Sequence, residues 1–383
     1  MDVSHKEHEA TLLESSQDLA GSPRPVAALP FSVPHDPVVN RSGWPRTVVI
    51  ITAEVMGAGV LGLPFAFARL GWVLGLAACL FFAAAAVYTG LLLARVRGSL
   101  YPSASSYGEV AELAVGPRFG AFTRACIYTT WAMYLPYYLL TCTSALRLAL
   151  GQLGVHGWCS WQIAALVSSL LALPMQMRNL HLIAYLGALS SAATLLAVAL
   201  VVGALLNRGP IPGVTHALWP DLAPPHDGDV HVADGVLRLY GAFGTIIFAY
   251  QGQSIFLEIM REMRDARRFG AAVATANTLM MAVYTFVTVA AYVVEGRHVA
   301  DFLPSSMPAG PAKSTVSILL AFTSAVSYVI TGQLLHRRIH LAVSPTTADA
   351  RGAKSTLRWA AISAATLAGA FVTADAIPLY GDI

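Results

Sequence analysis

"GAGVLGLPFAFARLGW", residues 57–72, lies inside an apolar run long enough to cross a bilayer. It nevertheless crowds Gly57, Gly59, Gly62 and Pro64 into eight residues. Glycine costs a helix interior about 1 kcal/mol and proline about 3. In hydrocarbon the difficulty is sharper, because every backbone N–H and C=O needs a partner there. Irregular backbone survives at that depth only where it lines a cavity or is buried in protein. Such a span is either a close helix–helix contact made through small residues or a helix opened on purpose.

The rest of the chain supplies the setting. Of its 383 residues 56% are hydrophobic and only 12% charged. That is about half the charge of a typical soluble domain, near 25%. Nine apolar stretches are long enough to span a membrane, at approximately 47–67, 72–94, 121–145, 160–177, 181–206, 236–257, 270–294, 313–335 and 357–377. Spanning takes about 20 residues, and the intervals leave little room for a soluble domain. The fold class is an all-α polytopic membrane protein, spanning 46–383.

Charge distribution orients it. With the N-terminus cytoplasmic, 18 Lys and Arg fall on inside segments against 6 outside, the asymmetry expected of cytoplasmic loops. The outer loop after the fifth span carries Asp221, Asp227, Asp229 and Asp234. Residues 1–45 are polar and Ser/Pro-containing, which predicts a disordered cytoplasmic tail; the "NRS" at Asn40 is then an unused glycosylation pattern. No signal peptide is visible at the start. Cys79 and Cys126 lie in spans, and Cys142 and Cys159 near the outer ends of the third and fourth. All four are expected to behave as unpaired small hydrophobes, with Cys142–Cys159 as the alternative pairing.

A second interrupted span decides between packing and opening. The sixth span reads "GAFGTIIFAYQGQSIFLEI" (241–259), with Gly241, Gly244 and Gly252, and with Tyr250, Gln251 and Gln253 where lipid-facing residues belong. The first and sixth spans are five apart. Five-helix inverted repeats place their broken helices in corresponding positions, with the substrate site between them at the midplane. Opened helix ends define the chemistry of such a site. Free N–H groups starting the second half of the first helix favour a carboxylate, and carbonyls ending the first half of the sixth accept from an ammonium. The glycines let a small molecule touch backbone directly. A small zwitterion such as an α-amino acid is the expected ligand. The backbone positions are Gly57, Ala58, Gly59 and Val60 on one side and Phe248, Ala249 and Gly252 on the other. Tyr134 is the expected wall residue, from the third-span aromatics Tyr128, Trp131, Tyr134, Tyr137 and Tyr138; packing between helices is the alternative for those rings.

"IITAEVMGAGVLGLPFAFARLGWVLG" (50–75) resembles the first helix of the amino acid/auxin permease family, with its Gly-x-Gly-Val-Leu-x-Leu-Pro core and following Gly-Trp. "YPSASSYGEVAELAVGPRFG" (101–120) is similar to that family's loop after helix 2, and "FAYQGQSIFLEIMREMRDARRF" (248–269) to its helix 6 and basic loop. The likeness runs from about residue 44, with Ala266 standing where the family usually has a proline. The resemblance implies secondary transport of amino acids, a leucine-transporter-like inverted-repeat bundle with helices 1 and 6 broken, and symport with protons or sodium. It also implies eleven helices, of which this sequence carries about nine. A truncated non-transporting or amino-acid-sensing member is therefore the alternative, and plasma, vacuolar and lysosomal membranes stay open.

Ion coupling has two candidate positions. Glu54 sits about a turn before the first break, where an ionisable group in an apolar span is a functional candidate and desolvation favours its neutral form; a structural hydrogen bond is the alternative. By resemblance Thr323 and Ser324 of the eighth span, with the carbonyls of Ala53 and Met56, would hold sodium. Glu258 is read as pairing with Arg261 at the helix end or serving a cytoplasmic gate. No HExxH or Gly-x-Ser-x-Gly pattern occurs, and "LYGD" at Asp382 lacks the first glycine of an intramembrane aspartyl protease motif, with Asp375 the acid nearest to it. An enzyme is not expected, nor any cofactor or resident metal. The expected partners are an amino acid and the lipid bilayer, with no nucleic acid.

Overall fold

A computed structural model describes residues 43–102, 104, 106–155, 157–176, 180–220, 232–344 and 352–376. Most of the expected tail and the acidic loop over 221–231 lie outside them, as does Asp382. Among the described residues the regular structure is helical. In chain order it comprises α1 (Trp44–Val55), α2 (Leu63–Arg95), α3 (Tyr107–Val115), α4 (Pro117–Gln152), α5 (Ser160–Ala172) and α6 (Leu180–Arg208). There follow α7 (Val232–Tyr250), α8 (Gln253–Glu262), α9 (Phe269–Glu295), α10 (Pro311–Val343) and α11 (Ala353–Ala376). Among the described residues, five segments are long and apolar enough to cross a membrane: Leu63–Leu100, Leu186–Arg208, Ala266–His298, Pro311–Val343 and Ala353–Asp375.

Several boundaries differ from the hydropathy reading: the 236–257 run is interrupted after Tyr250, and the helix in the 160–177 run ends at Ala172. The run at 47–67 is no single helix: α1 ends at Val55, and the remainder joins the next run as one element from Leu63. Within that element Gly71 (φ 74°, ψ 176°) turns a sharp corner. A Cβ there would lie 2.9 Å from the Leu218 carbonyl oxygen and from the Trp219 carbonyl carbon, and left-handed φ already disfavours any other residue. The segment before α7 fills that corner, its Ala217 and Leu218 carbonyls accepting from the Trp72 and Val73 amides at 2.9 and 3.1 Å. Hydropathy counts apolar residues and is blind to which of them leave the helix.

Packing separates into two hydrophobic clusters. One joins α1, α2, α7, α8, α9, the C-terminal half of α6 and the start of α10 (Val316, Leu320) around Phe67, Phe256, Phe269 and Tyr284. The other joins α4, α5, α10 and α11 around Leu135, Leu139, Ile163 and Tyr328. All four cysteines are free; Cys79 and Cys142 are buried, Cys126 and Cys159 exposed. The Cys142 thiol donates to the Ala321 carbonyl, so the alternative Cys142–Cys159 pairing is not formed.

Candidate functional site

The two breaks face each other. After Val55, Met56 (φ −77°, ψ 76°) and Gly57 (φ −99°, ψ −154°) leave the helix, and Ala58–Leu61 re-coil as a 3-10 turn that leads through Gly62 into α2. Pro64 stands in the first turn of α2, where a helix has no hydrogen bond for it to remove. It starts the second half and does not cause the break. Opposite, α7 stops at Tyr250, and Gln251 and Gly252 connect it to α8. A Cβ on Gly59 would lie 3.3 Å from the Phe248 ring and 3.4 Å from Ala249 Cα, and one on Gly252 only 2.5 Å from Val55 Cγ2. These two missing side chains bring the unwound segments together.

Between them lies a cavity of about 110 Å³, counted as the volume open to the centre of a water molecule. The first break contributes Val55, Met56, Gly57 and Gly59, and the second Phe248, Ala249, Gln251, Gly252, Ser254 and Ile255. From α4 come Trp131, Tyr134 and Tyr138; from α6, Gly187 and Ser190; from α10, Thr323, Ser327, Ile330, Thr331 and Leu334. The cavity thus lies where the two hydrophobic clusters meet. None of these lining residues carries a formal charge, so its polarity comes from backbone dipoles, hydroxyls and one amide side chain. Phe248 meets Tyr134 and Tyr137 edge-on, with ring centroids 5.4 and 5.0 Å apart, a geometry that aromatic quadrupoles favour.

Of the expected substrate residues, Gly57, Gly59, Tyr134, Phe248, Ala249 and Gly252 line the cavity. Val60 does not: it is fully buried in the first cluster. The side chain of Ala58 lies outside the described residues, as do those of Ala53, Glu54, Glu258 and Arg261. Met56 and Thr323 line the cavity. The Thr323 hydroxyl donates to the Leu319 carbonyl at 2.8 Å, whereas the Ser324 hydroxyl, in a residue 1% exposed, has no hydrogen-bond partner among the described residues. Asp375 is exposed at the end of α11.

The backbone groups at the breaks are more occupied than the sequence suggests. The Gly57 amide donates to the Val55 carbonyl at 2.9 Å. Free donors on that side are therefore expected at Ala58 and Gly59, which open the 3-10 turn and whose amides have no intrahelical partner. On the other side, Gln251 N–H lies 3.5 Å from the Phe248 carbonyl, and Gln253 Oε1 accepts from Gly252 N–H at 2.9 Å. A residue not singled out from sequence, Tyr284 of α9, donates its hydroxyl proton to the Ala249 carbonyl at 3.1 Å and lies 3.5 Å from the Val55 carbonyl. Tyr284 and the α6 pair Gly187 and Ser190 were missed because each sits in an ordinary-looking span; the small-residue run "GALSSAA" (187–193) was the one available signal.

Two opened helices around a cavity with no charged lining among the described residues suit a membrane carrier of small solutes. The sequence matches the transmembrane amino acid transporter protein family over residues 40–378. The chain belongs to the transmembrane amino acid transporter family. Similar proteins include the amino acid transporter AVT3A of Arabidopsis thaliana, 24% identical across 89% of this chain and 78% of that one. The N amino acid transport system protein of Neurospora crassa is 22% identical, over 78% of this chain and 63% of its own length. Amino acid transporter AVT1D of Arabidopsis thaliana is 26% identical over 77% and 52%. This family member therefore spans between about half and four fifths of the length of these relatives. They are named as transporters, and membership supports amino acid transport by an integral membrane protein.

Proposed function

We propose that the chain is a secondary active transporter of amino acids or related small zwitterions, ion-coupled and working by alternating access. The observation that carries this is the cavity bounded by both helix breaks and set where two hydrophobic clusters meet. In this reading the amides of Ala58 and Gly59 hold the substrate carboxylate. The Ala249 carbonyl, which keeps a second lone pair beside the Tyr284 bond, and its neighbours in the second break accept from the ammonium. Tyr134 and Phe248 close over the bound molecule.

Alternating access then consists of one cluster rocking against the other around the fixed cavity, as in transporters built from inverted repeats. A leucine-transporter-like repeat, with α1 and the start of α2 corresponding to α7 and α8, accounts for two breaks five spans apart. The excess of Lys and Arg on the loops of one side favours a cytoplasmic N-terminus in this reading. The coupling ion is a proton carried at Glu54 in the first reading. The second reading is sodium at Thr323 and Ser324 with the carbonyls of Ala53 and Met56, and it is favoured by the unpartnered, buried hydroxyl of Ser324.

The test is uptake of labelled neutral amino acids into proteoliposomes under an imposed proton or sodium gradient. Accumulation above the external concentration that collapses with an ionophore is the expected result. Saturable binding without accumulation would overturn transport and leave a sensing role.

A further inference from the structure

Tyr284 is 0% exposed and packs from α9 behind the cavity, at neither of the two breaks. Its hydroxyl has one proton and two carbonyl oxygens to serve, one from each break: Ala249 at 3.1 Å and Val55 at 3.5 Å. Both acceptors belong to residues that line the cavity. The ring is held by the neighbouring Tyr250 ring, with centroids 5.2 Å apart at 63°. The two carbonyls are 194 positions apart in sequence (249 − 55), and the breaks otherwise meet through apolar contacts at Gly59 and Gly252. An aliphatic or phenyl side chain at 284 would keep the packing and lose the shared donor.

We infer that Tyr284 is a positioning residue that holds the two helix breaks in register, so that donors on the first and acceptors on the second stay one zwitterion apart. This rests on the proposed substrate site, and it adds a property that site alone does not have. A ligand that touches only one break is indifferent to the distance between the breaks. A ligand that spans both reads that distance directly. Tyr250 supplies the control: its hydroxyl is also buried and has no hydrogen-bond partner among the described residues, so removing it takes away no tie between the breaks.

The experiment measures inhibition constants on purified, reconstituted wild-type, Tyr284→Phe and Tyr250→Phe proteins. Three ligands are used: a neutral amino acid, its deaminated acid and its decarboxylated amine. Tyr284→Phe is expected to weaken the amino acid about tenfold, the effect of roughly 1.4 kcal/mol, and each one-ended analogue less than about twofold, because a hydrogen bond to a buried carbonyl is worth most where its geometry is used. Tyr250→Phe is expected to leave all three within about twofold. Equal weakening of all three ligands by Tyr284→Phe, or no change in any, overturns the inference. A wild-type protein that binds none of the three overturns the substrate site as well, so the two failures are told apart. Thermal melts on the same samples separate loss of fold from loss of register, and a Tyr284→Phe protein that melts with the wild type yet binds the amino acid unchanged also overturns it.

Discussion

A side chain at Gly252 would collide with Val55: a Cβ built there lies 2.5 Å from Val55 Cγ2, and 3.0 Å from the Phe256 ring. Val55 is the last residue of α1 and Gly252 precedes the first residue of α8, so this contact sets how closely the two breaks approach. Gly252→Ala is expected to destabilise by about 1–3 kcal/mol through overpacking and to abolish substrate binding. Gly57→Ala meets nothing within 4 Å and is expected to melt with the wild type. Thermal melts and ligand binding on both variants check the contrast.

Phe248→Ala removes the two edge-on contacts with Tyr134 and Tyr137. At about 0.5–1.5 kcal/mol each, their loss is expected to destabilise the fold by about 1–3 kcal/mol, read as a lower melting temperature. The widened cavity is expected to shift preference toward bulkier side chains, read as a reversal in the order of inhibition constants across a size series.

Glu295 is 1% exposed at the C-terminal end of α9 and pairs with Arg208 of α6 at 2.5 Å. Its other oxygen has no partner among the described residues, while Arg208 also donates to the Ser306 carbonyl at 2.7 Å. Arg208→Ala strands a buried carboxylate and is expected to cost about 3 kcal/mol, the lower end for broken buried pairs because Arg208 is itself partly exposed. Arg208→Ala combined with Glu295→Gln is expected to recover part of that loss in melting temperature, since the stranded charge is gone.

Much of this was legible in the sequence, and the reasons are specific. Gly57, Gly59, Gly62 and Pro64 announced the first break because a membrane helix does not accumulate breakers without cause, and Gly252 with Gln251 and Gln253 announced the second. Six of the eight expected substrate residues line one cavity. What stayed hidden depended on distance in space. The tie from Tyr284 to Ala249 and Val55 joins residues 35 and 229 positions apart, and neither periodicity nor composition encodes it. Gly187 and Ser190 reach the cavity from a span with no irregularity of its own. The corner at Gly71 was missed because the segment that fills it, with the carbonyls of Ala217 and Leu218, lies far along the chain.

Ion coupling separates at two side chains. Glu54→Gln is expected to remove the pH dependence of uptake while leaving substrate binding at neutral pH, as a neutral amide keeps the shape of a protonated acid without its titration. Ser324→Ala, with a buried hydroxyl that has no partner to lose, is expected to leave proton-driven uptake intact. Replacing sodium by choline during uptake assigns the ion: an unchanged rate is the expected outcome, and loss of uptake in choline that Ser324→Ala reproduces in sodium moves the coupling site to α10.

Competition by one-ended analogues on the wild-type protein tests the substrate cradle most directly. The deaminated acid and the decarboxylated amine each leave one helix break without its charged partner, a loss of about 1–3 kcal/mol that corresponds to roughly 5- to 150-fold in inhibition constant. Both analogues are predicted to be weaker than the parent amino acid by that factor. An analogue lacking either charged end that inhibits as well as the parent amino acid would contradict a site in which the two breaks hold the two ends of a zwitterion.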